Sequence, residues 1–547
     1  MKTTRCESRP GICILACLVF LVCFPLAGPE ADAGEVLEKI KTPGSCPTGL
    51  TWDSGSPWVT DRKTDMIYRL DSEGNIAASF KSPGFHPAGL TWDGSHLWNV
   101  DKTEKMLYRI NPATGDTVRA FESPASSPEG LAWDGTYLWL VERRKGKLLQ
   151  ISPEDGTTIT EIPAPSRYVQ GLTFDGTYLW AVDRVTDQIY MLTPDEGTVV
   201  LIMDAPGPYP RGLAWDGESL WCADYQDNFI YRLEIPDARH YKKTDEKIEY
   251  VEYTHELRNY GPDTVRSLDI YLAVPGQRDN QEILEGPVFS PEPQEFLVDR
   301  WGQKVARFHF DNLEAPGAAK VTFKARVKLS TIRYYIFPEK VKPLSDIPPD
   351  IQKLYCGDLD KYMLDDPFIT AKVKELAEKE TNPYWIARRL YDYVISAVEY
   401  EMVGGWNVAP MVLKRGTGSC SEYTFSLIAL CRAAGVPARY VGSVVIRGED
   451  ASLDEAFHRW VEIYLPGYGW VPFDANAGDR ALPAEQAAGI GEVENRFLIT
   501  TEGGGASEYL EWGYNSGQSY TCSGRCKVHL ENIGEWRPAE PAPAEGK

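Results

Sequence analysis

Arg415-Gly416-Thr417-Gly418-Ser419-Cys420-Ser421-Glu422-Tyr423 puts a cysteine behind flexible residues and ahead of the apolar run TFSLIALCRAAG. The stretch SEYTFSLIALCRAAG predicts a helix, with Phe425, Ile428, Leu430 and Cys431 on its buried face and Gly435 at its end. Cys420 therefore falls at a helix N-terminus, where unpaired N–H groups and the helix dipole favour the thiolate, the nucleophilic form of cysteine. A thiolate nucleophile needs a proton partner. Between residues 310 and 528 the chain holds one histidine, His458, in AFHRWVEIYL. Each residue alone also fits a structural role, since free cysteines are commonly small core residues; Cys431, on the buried helix face, takes that role.

The elements that must position this pair can be read on either side of it. AFHRWVEIYLPGYGWVPFDA predicts a hairpin around Pro466-Gly467-Tyr468-Gly469. A three-residue turn pairing Leu465 with Gly469 would set Asp474 opposite Trp460, diagonally adjacent to His458 on one face; an even-numbered turn would put the two on opposite faces. The sequence leaves that register open. A carboxylate on one imidazole nitrogen fixes the tautomer and stabilises an imidazolium, so Asp474 is the natural orienter. Trp460 and Glu462 flank the histidine as packing or bracing residues, and Arg439 and Glu422 are candidates for supporting ion pairs. Upstream, Asn382-Pro383 caps and opens the helix YWIARRLYDYVIS.

Taken in order, GSCSEY, AGVPARYV, FHRWVEIY and GYGWVPFD resemble the bacterial transglutaminase-like superfamily over roughly residues 340–500, extending weakly into the segment before. The resemblance implies a papain-like α+β fold and a cysteine, histidine, aspartate triad, mapping onto Cys420, His458 and Asp474. It further implies acyl transfer from an amide, with release to water or to an amine. Superfamily members include cross-linking enzymes, peptidases and other amide hydrolases, and some are inactive. An oxyanion donor could be the Cys420 N–H together with Trp406 or Asn407.

The N-terminal half is built differently. GLTWDSGSPW, GLTWDGSHLW, GLAWDGTYLW, GLTFDGTYLW and GLAWDGESLW carry Trp52, Trp92, Trp133, Phe174 and Trp215 at a period of 40 to 41, the signature of a repeat architecture. Each copy reads as four short strands, and the last copy lacks its fourth, which EVLEKIK at 35–41 would supply. The expectation is a five-bladed β-propeller closed by its N-terminal strand, or six blades if residues 237–260 contribute. The pattern resembles NHL-type propellers. Its repeated Trp, Leu and Asp residues read as packing and turn chemistry, whereas Cys46, His86, Ser127, Tyr168 and Tyr209, three positions before each GL glycine, read as a variable rim suited to recognition. From about 240, SLDIYLAV, VARFHF and KVTFKARVKL predict a small antiparallel β-sandwich that spaces the propeller from the C-terminal domain.

Lys2, Arg5 and Arg9 ahead of ICILACLVFLVCFPLA, with Ala31-Asp32-Ala33 as a cleavage site, predict an export signal and a periplasmic or extracellular protein. After cleavage no span long enough for the membrane would remain. The expected boundaries are 1–33 signal, 34–238 propeller, 239–338 sandwich, 339–537 transglutaminase-like domain with a C-terminal extension, and 538–547 disordered tail. Four of the eleven cysteines precede residue 34, so an odd set remains and at least one thiol is unpaired within the chain. Cys522 and Cys526 predict a local disulfide in preference to a metal site with His529, and Cys46 and Cys222 are a second candidate pair.

The net charge of −22 argues against a nucleic-acid partner. No calcium loop or nucleotide motif is found and no cofactor is expected. The partner expected is a protein or peptide substrate, a cell-envelope component among the options. The sequence thus supports a cysteine amidase, peptidase or transamidase; the alternative is a non-catalytic scaffold in which the propeller does the binding.

Overall fold

The computed structural model describes residues 34–53, 55–235, 240–402, 406–447 and 453–539. The predicted signal, residues 1–33, and the tail beyond residue 539 lie outside the described residues. None of the described helices is long and apolar enough to cross a membrane.

The chain is mostly β. Residues 36–233 form five four-stranded antiparallel sheets, one per repeat, and the fifth takes Val36–Lys41 as its outer strand against Phe229–Leu233, with Ile40 opposite Ile230. The first strands of the five sheets contact one another cyclically, Pro47–Trp52 meeting both Pro87–Trp92 and Pro210–Trp215. The repeated GL glycine is explained by that closeness. A Cβ on Gly49 would lie 2.2 Å from the Ala88 carbonyl oxygen, on Gly89 2.5 Å from that of Glu129, and on Gly212 2.8 Å from Leu50. The repeated aspartate and second tryptophan form one device. Asp134 caps the following turn through the Thr136 and Tyr137 N–H groups at 2.9 and 2.7 Å and accepts the Trp139 indole N–H at 2.9 Å; the other four repeats make the same indole bond. Cys46 and Cys222, a candidate pair, are both free thiols.

Residues 241–262 add no sixth sheet to this ring. The long strand Tyr241–Pro262 pairs with Gly317–Tyr334 on one side and Cys526–Pro538 on the other. A second sheet orders Glu295–Val298, Lys304–Leu313, Val265–Ala273 and Ser516–Cys522. The two share a core in which Tyr253, Val321 and Phe323 meet Leu268, Ile270 and Phe308. Residues 516–538, expected with the catalytic domain, thus complete both of these sheets. Pro538 and Ala539, expected in a disordered tail, lie against the long strand: Pro538 pairs with Glu249, and Ala539 donates its N–H to the Ile248 carbonyl. The Cys522–Cys526 disulfide is present at the turn between the two returning strands.

The third body places the helices Pro383–Ala397 and Cys420–Ala433 against a sheet ordered Gly469–Phe473, His458–Leu465, Ala438–Val445 and Phe497–Gly503. The paired sheets do not hold the ring away from it, contrary to the expected spacer role. Met203, Leu213 and Leu233 of the ring share one buried cluster with Tyr384, Leu390 and Val394. Arg388, 3 % exposed, donates to the Val199 carbonyl at 2.6 Å while Asp392 holds its Nε. Ala484 donates to the Pro165 carbonyl at 3.0 Å. Arg388→Met removes the donor to a buried carbonyl and an ion pair from this junction. It is expected to cost about 2–3 kcal/mol, seen as a lowered urea midpoint; an unchanged midpoint would show that the junction is held by apolar contact alone.

Candidate active site

Cys420 opens the helix Cys420–Ala433 and is half-buried. The turn before it is fixed by Glu422, fully buried, whose carboxylate accepts the Ser419 N–H at 2.9 Å, the Asn407 backbone and amide N–H groups at 3.1 and 3.0 Å, and Arg415 at 3.1 Å. His458 begins the strand His458–Leu465, stacked on Trp460 and Phe497 at 5.7 and 5.4 Å between ring centroids.

The hairpin after it takes the three-residue turn. Leu465 pairs with Gly469, and Val461 with Phe473, so Asp474 falls opposite Trp460 and beside His458. His458 Nε2 and Asp474 Oδ2 are 2.5 Å apart. Asp474 also accepts the N–H groups of Asn476 and Ala477 at 3.1 and 3.0 Å, which holds its other oxygen still. With Nε2 engaged, Nδ1 is the nitrogen left for the cysteine.

Cys420, His458 and Asp474 line one cleft of about 520 Å³. Burial alone would raise the Cys420 thiol, but the hydrogen bond and charge of His458 outweigh it and hold the group below its ordinary value. Burial alone would depress His458, but Asp474 and then Cys420 push it up to about 10. Each group moves the other toward its charged form, thiolate on one side and imidazolium on the other.

Of the two upstream residues considered for the oxyanion, Trp406 lines the cleft with its backbone at φ +40°, whereas the backbone N–H and the side-chain amide of Asn407 each donate to Glu422. Glu462 braces the sheet, gripping Arg439 at 2.7 and 2.9 Å and also Arg278 from the paired sheets. Arg439 and Glu422 thus both form ion pairs, each with its own partner. Three features escape sequence reasoning. Tyr514 reaches the cleft from a segment without a motif, Arg447, Arg480 and Arg496 line it, and Arg459 lies fully buried behind it. Among the described residues no group of three or more His, Cys, Asp or Glu side chains could hold a metal ion.

Residues 370–475 match the family model of the transglutaminase-like superfamily. An uncharacterised protein of Haemophilus influenzae is 29% identical over 157 residues, 23% of this chain, and the match spans 42% of that relative's length. A protein from Cytophaga hutchinsonii provisionally assigned as a cysteine protease superposes with a TM-score of 0.39 at 16% identity, over 54% of this chain and all of that one. Virginiamycin B lyase from Staphylococcus aureus superposes with a TM-score of 0.26 at 26% identity, over 36% of this chain and 68% of its own.

Proposed function

We propose that the transglutaminase-like segment is the catalytic part of an exported, cysteine-dependent amide acyl-transfer enzyme, with Cys420 as nucleophile, His458 as acid and base, and Asp474 as orienter. The ring of sheets is read as a five-bladed propeller that captures a protein, peptide or cell-envelope partner, and the paired sheets as a β-sandwich. The observation that carries the reading is the cleft in which a cysteine at a helix N-terminus faces a histidine whose far nitrogen is 2.5 Å from a carboxylate.

The Cys420 thiolate attacks the amide carbonyl carbon, and the electron pair of the C=O bond moves to oxygen. The donor proposed for that oxyanion is the Cys420 backbone N–H at the start of the helix. As the C–N bond breaks, the His458 imidazolium gives its proton to the leaving nitrogen, and a thioester remains on Cys420. Neutral His458 then takes a proton from water or an amine as it attacks the thioester. The products are an acid or a new amide, and the thiolate and imidazolium are restored.

The test is incubation of the full chain with a panel of acetylated peptides and glutamine-bearing proteins, in heavy-oxygen water with and without an added amine, read by mass spectrometry. Label incorporated from water by the wild type and at least ~1000-fold less by Cys420→Ser is the expected result. Equal product from both proteins would remove Cys420 from the reaction.

A further inference from the structure

Arg459 follows His458 in its strand, so its side chain projects to the opposite face. It lies in the core under the Cys420–Ala433 helix at 0 % exposure. Arginine is rarely buried to that degree without a carboxylate, and among the described residues Arg459 has none. Its guanidinium instead sits against four aromatic rings, Trp406, Phe425, Tyr440 and Tyr514, at 5.1, 5.1, 4.6 and 4.3 Å. One bond goes to the Trp512 carbonyl at 2.7 Å, while Nε and Nη1 have no hydrogen-bond partner. Ring faces attract a cation but carry no net charge. A buried, uncompensated charge of this kind needs an explanation.

The explanation is next to the cage. Trp406 and Tyr514, two of its walls, line the cleft beside Cys420. Thr424, one helical turn past Cys420, donates to the carbonyls of both Cys420 and Arg459, at 2.8 and 3.2 Å, tying the two residues together. The Arg459 backbone N–H is directed at the Cys420 sulfur. The other titratable groups around the pair do not supply the missing anion. Tyr400, Tyr440, Tyr514 and Tyr362 are phenols that burial holds neutral. Asp474 is bound to His458, and Glu422 to Arg415 and Asn407. The Cys420 thiol remains, and the charge of Arg459 acts on it in the direction of the thiolate.

We propose that Arg459 is a positioning residue for the nucleophile: its caged, permanently charged guanidinium is a standing counter-charge that, together with the His458 imidazolium, favours the anionic Cys420 sulfur. The inference rests on Cys420 being the nucleophile of the proposed reaction. His458 turns neutral only while the sulfur is held as a thioester, and it is charged again as the sulfur departs. A fixed cation behind the sulfur stabilises the thiolate in the resting enzyme and again as it leaves the acyl carbon, at the cost of a buried charge in the resting fold.

The test uses full-length Arg459→Met and Arg459→Lys, with folding verified by circular dichroism, and reads the pH profile of Cys420 alkylation by iodoacetamide, site-assigned by mass spectrometry. Arg459→Met is expected to slow alkylation at about pH 6 by roughly tenfold, the equivalent of one unit in the thiol midpoint. Arg459→Lys, which keeps the charge, is expected to stay within about twofold of wild type. A folded Arg459→Met with the wild-type profile would overturn the proposal, and so would an Arg459→Lys profile shifted as far as that of Arg459→Met, which would assign the effect to packing. Arg459→Gln keeps a donor for the Trp512 carbonyl without the charge, and it decides the question if the methionine variant does not fold. Turnover enters none of these readings. If no amide is processed and the profile still shifts, the proposed reaction fails and the role of Arg459 stands; if amides are processed and the profile does not move, the reverse holds.

Discussion

With His458 replaced by alanine, alkylation of Cys420 by iodoacetamide at about pH 6 slows by ~100-fold. An ordinary thiol has a pKa of about 8.5, so at about pH 6 only a few molecules per thousand are thiolate. His458 lowers the Cys420 thiol by a hydrogen bond and by charge, against the upward push of burial, and it can do so across neutral pH because Asp474 keeps it protonated up to about 10. The ion pair therefore exists from the depressed thiol value up to the raised imidazole value. Removing the imidazole leaves burial, which raises the thiol, opposed by the helix N-terminus and Arg459. The wild-type profile should be nearly flat through neutrality and that of His458→Ala should climb steeply toward alkaline pH. Equal rates in the two proteins at about pH 6 would mean that the histidine does not act on the thiol.

Glu422→Ala should cost about 3–5 kcal/mol of stability, the range found when one partner of a buried ion pair is removed. The carboxylate is fully buried, and its loss leaves the Ser419 and Asn407 N–H groups and Arg415 without their acceptor. Burial pushes Glu422 up, but those donors outweigh it and hold it below the usual carboxylate range. Its stabilisation is thus fully present above the ordinary value of about 4.3 and is lost as the pH falls through the lower folded value. The urea midpoint at neutral pH should drop sharply in the variant, and the difference from wild type should narrow on acidification. A loss below about 1 kcal/mol at neutral pH would mean that the loop in front of Cys420 is held by other contacts. Because Glu422 sets the turn that presents Cys420, the variant should also alkylate more slowly wherever it remains folded.

The parts of this architecture that were legible in the sequence are those written in local chemistry. The 40 to 41-residue period and the incomplete last copy implied a ring closed by residues 35–41, and Val36–Lys41 indeed pairs with Phe229–Leu233. The start of the Cys420 helix was marked by the glycines and serine before an apolar run. The approach of Asp474 to His458 was legible only as a condition on the turn. What settles it is Gly467 and Gly469, at φ +99° and +82°, where a backbone that side chains avoid closes three residues and leaves Leu465 opposite Gly469.

Features that depend on long-range closure were not legible. The strand Cys526–Pro538 mixes apolar and charged residues, and nothing in KVHLENIGEWRP says which sheet it joins; Trp536, buried in the shared core, is its main anchor. The polar part of the docking of the ring on the helices goes to backbone carbonyls, those of Val199 and Pro165, which any residue could supply. Arg459 reads as a surface residue by type, and its burial follows from four aromatic rings brought together from four separate segments.

The most direct measurement is the pH profile of alkylation in the unmodified protein, with each cysteine assigned by mass spectrometry. Cys356, pushed up to about 11 by burial, and Cys46, also raised, serve as internal standards. The account predicts that Cys420 is labelled nearly as fast at about pH 6 as at about pH 8, while Cys356 and Cys46 accelerate roughly tenfold per pH unit over that range. A Cys420 rate that climbs in step with Cys46 would contradict the thiolate–imidazolium pair and with it the proposed chemistry.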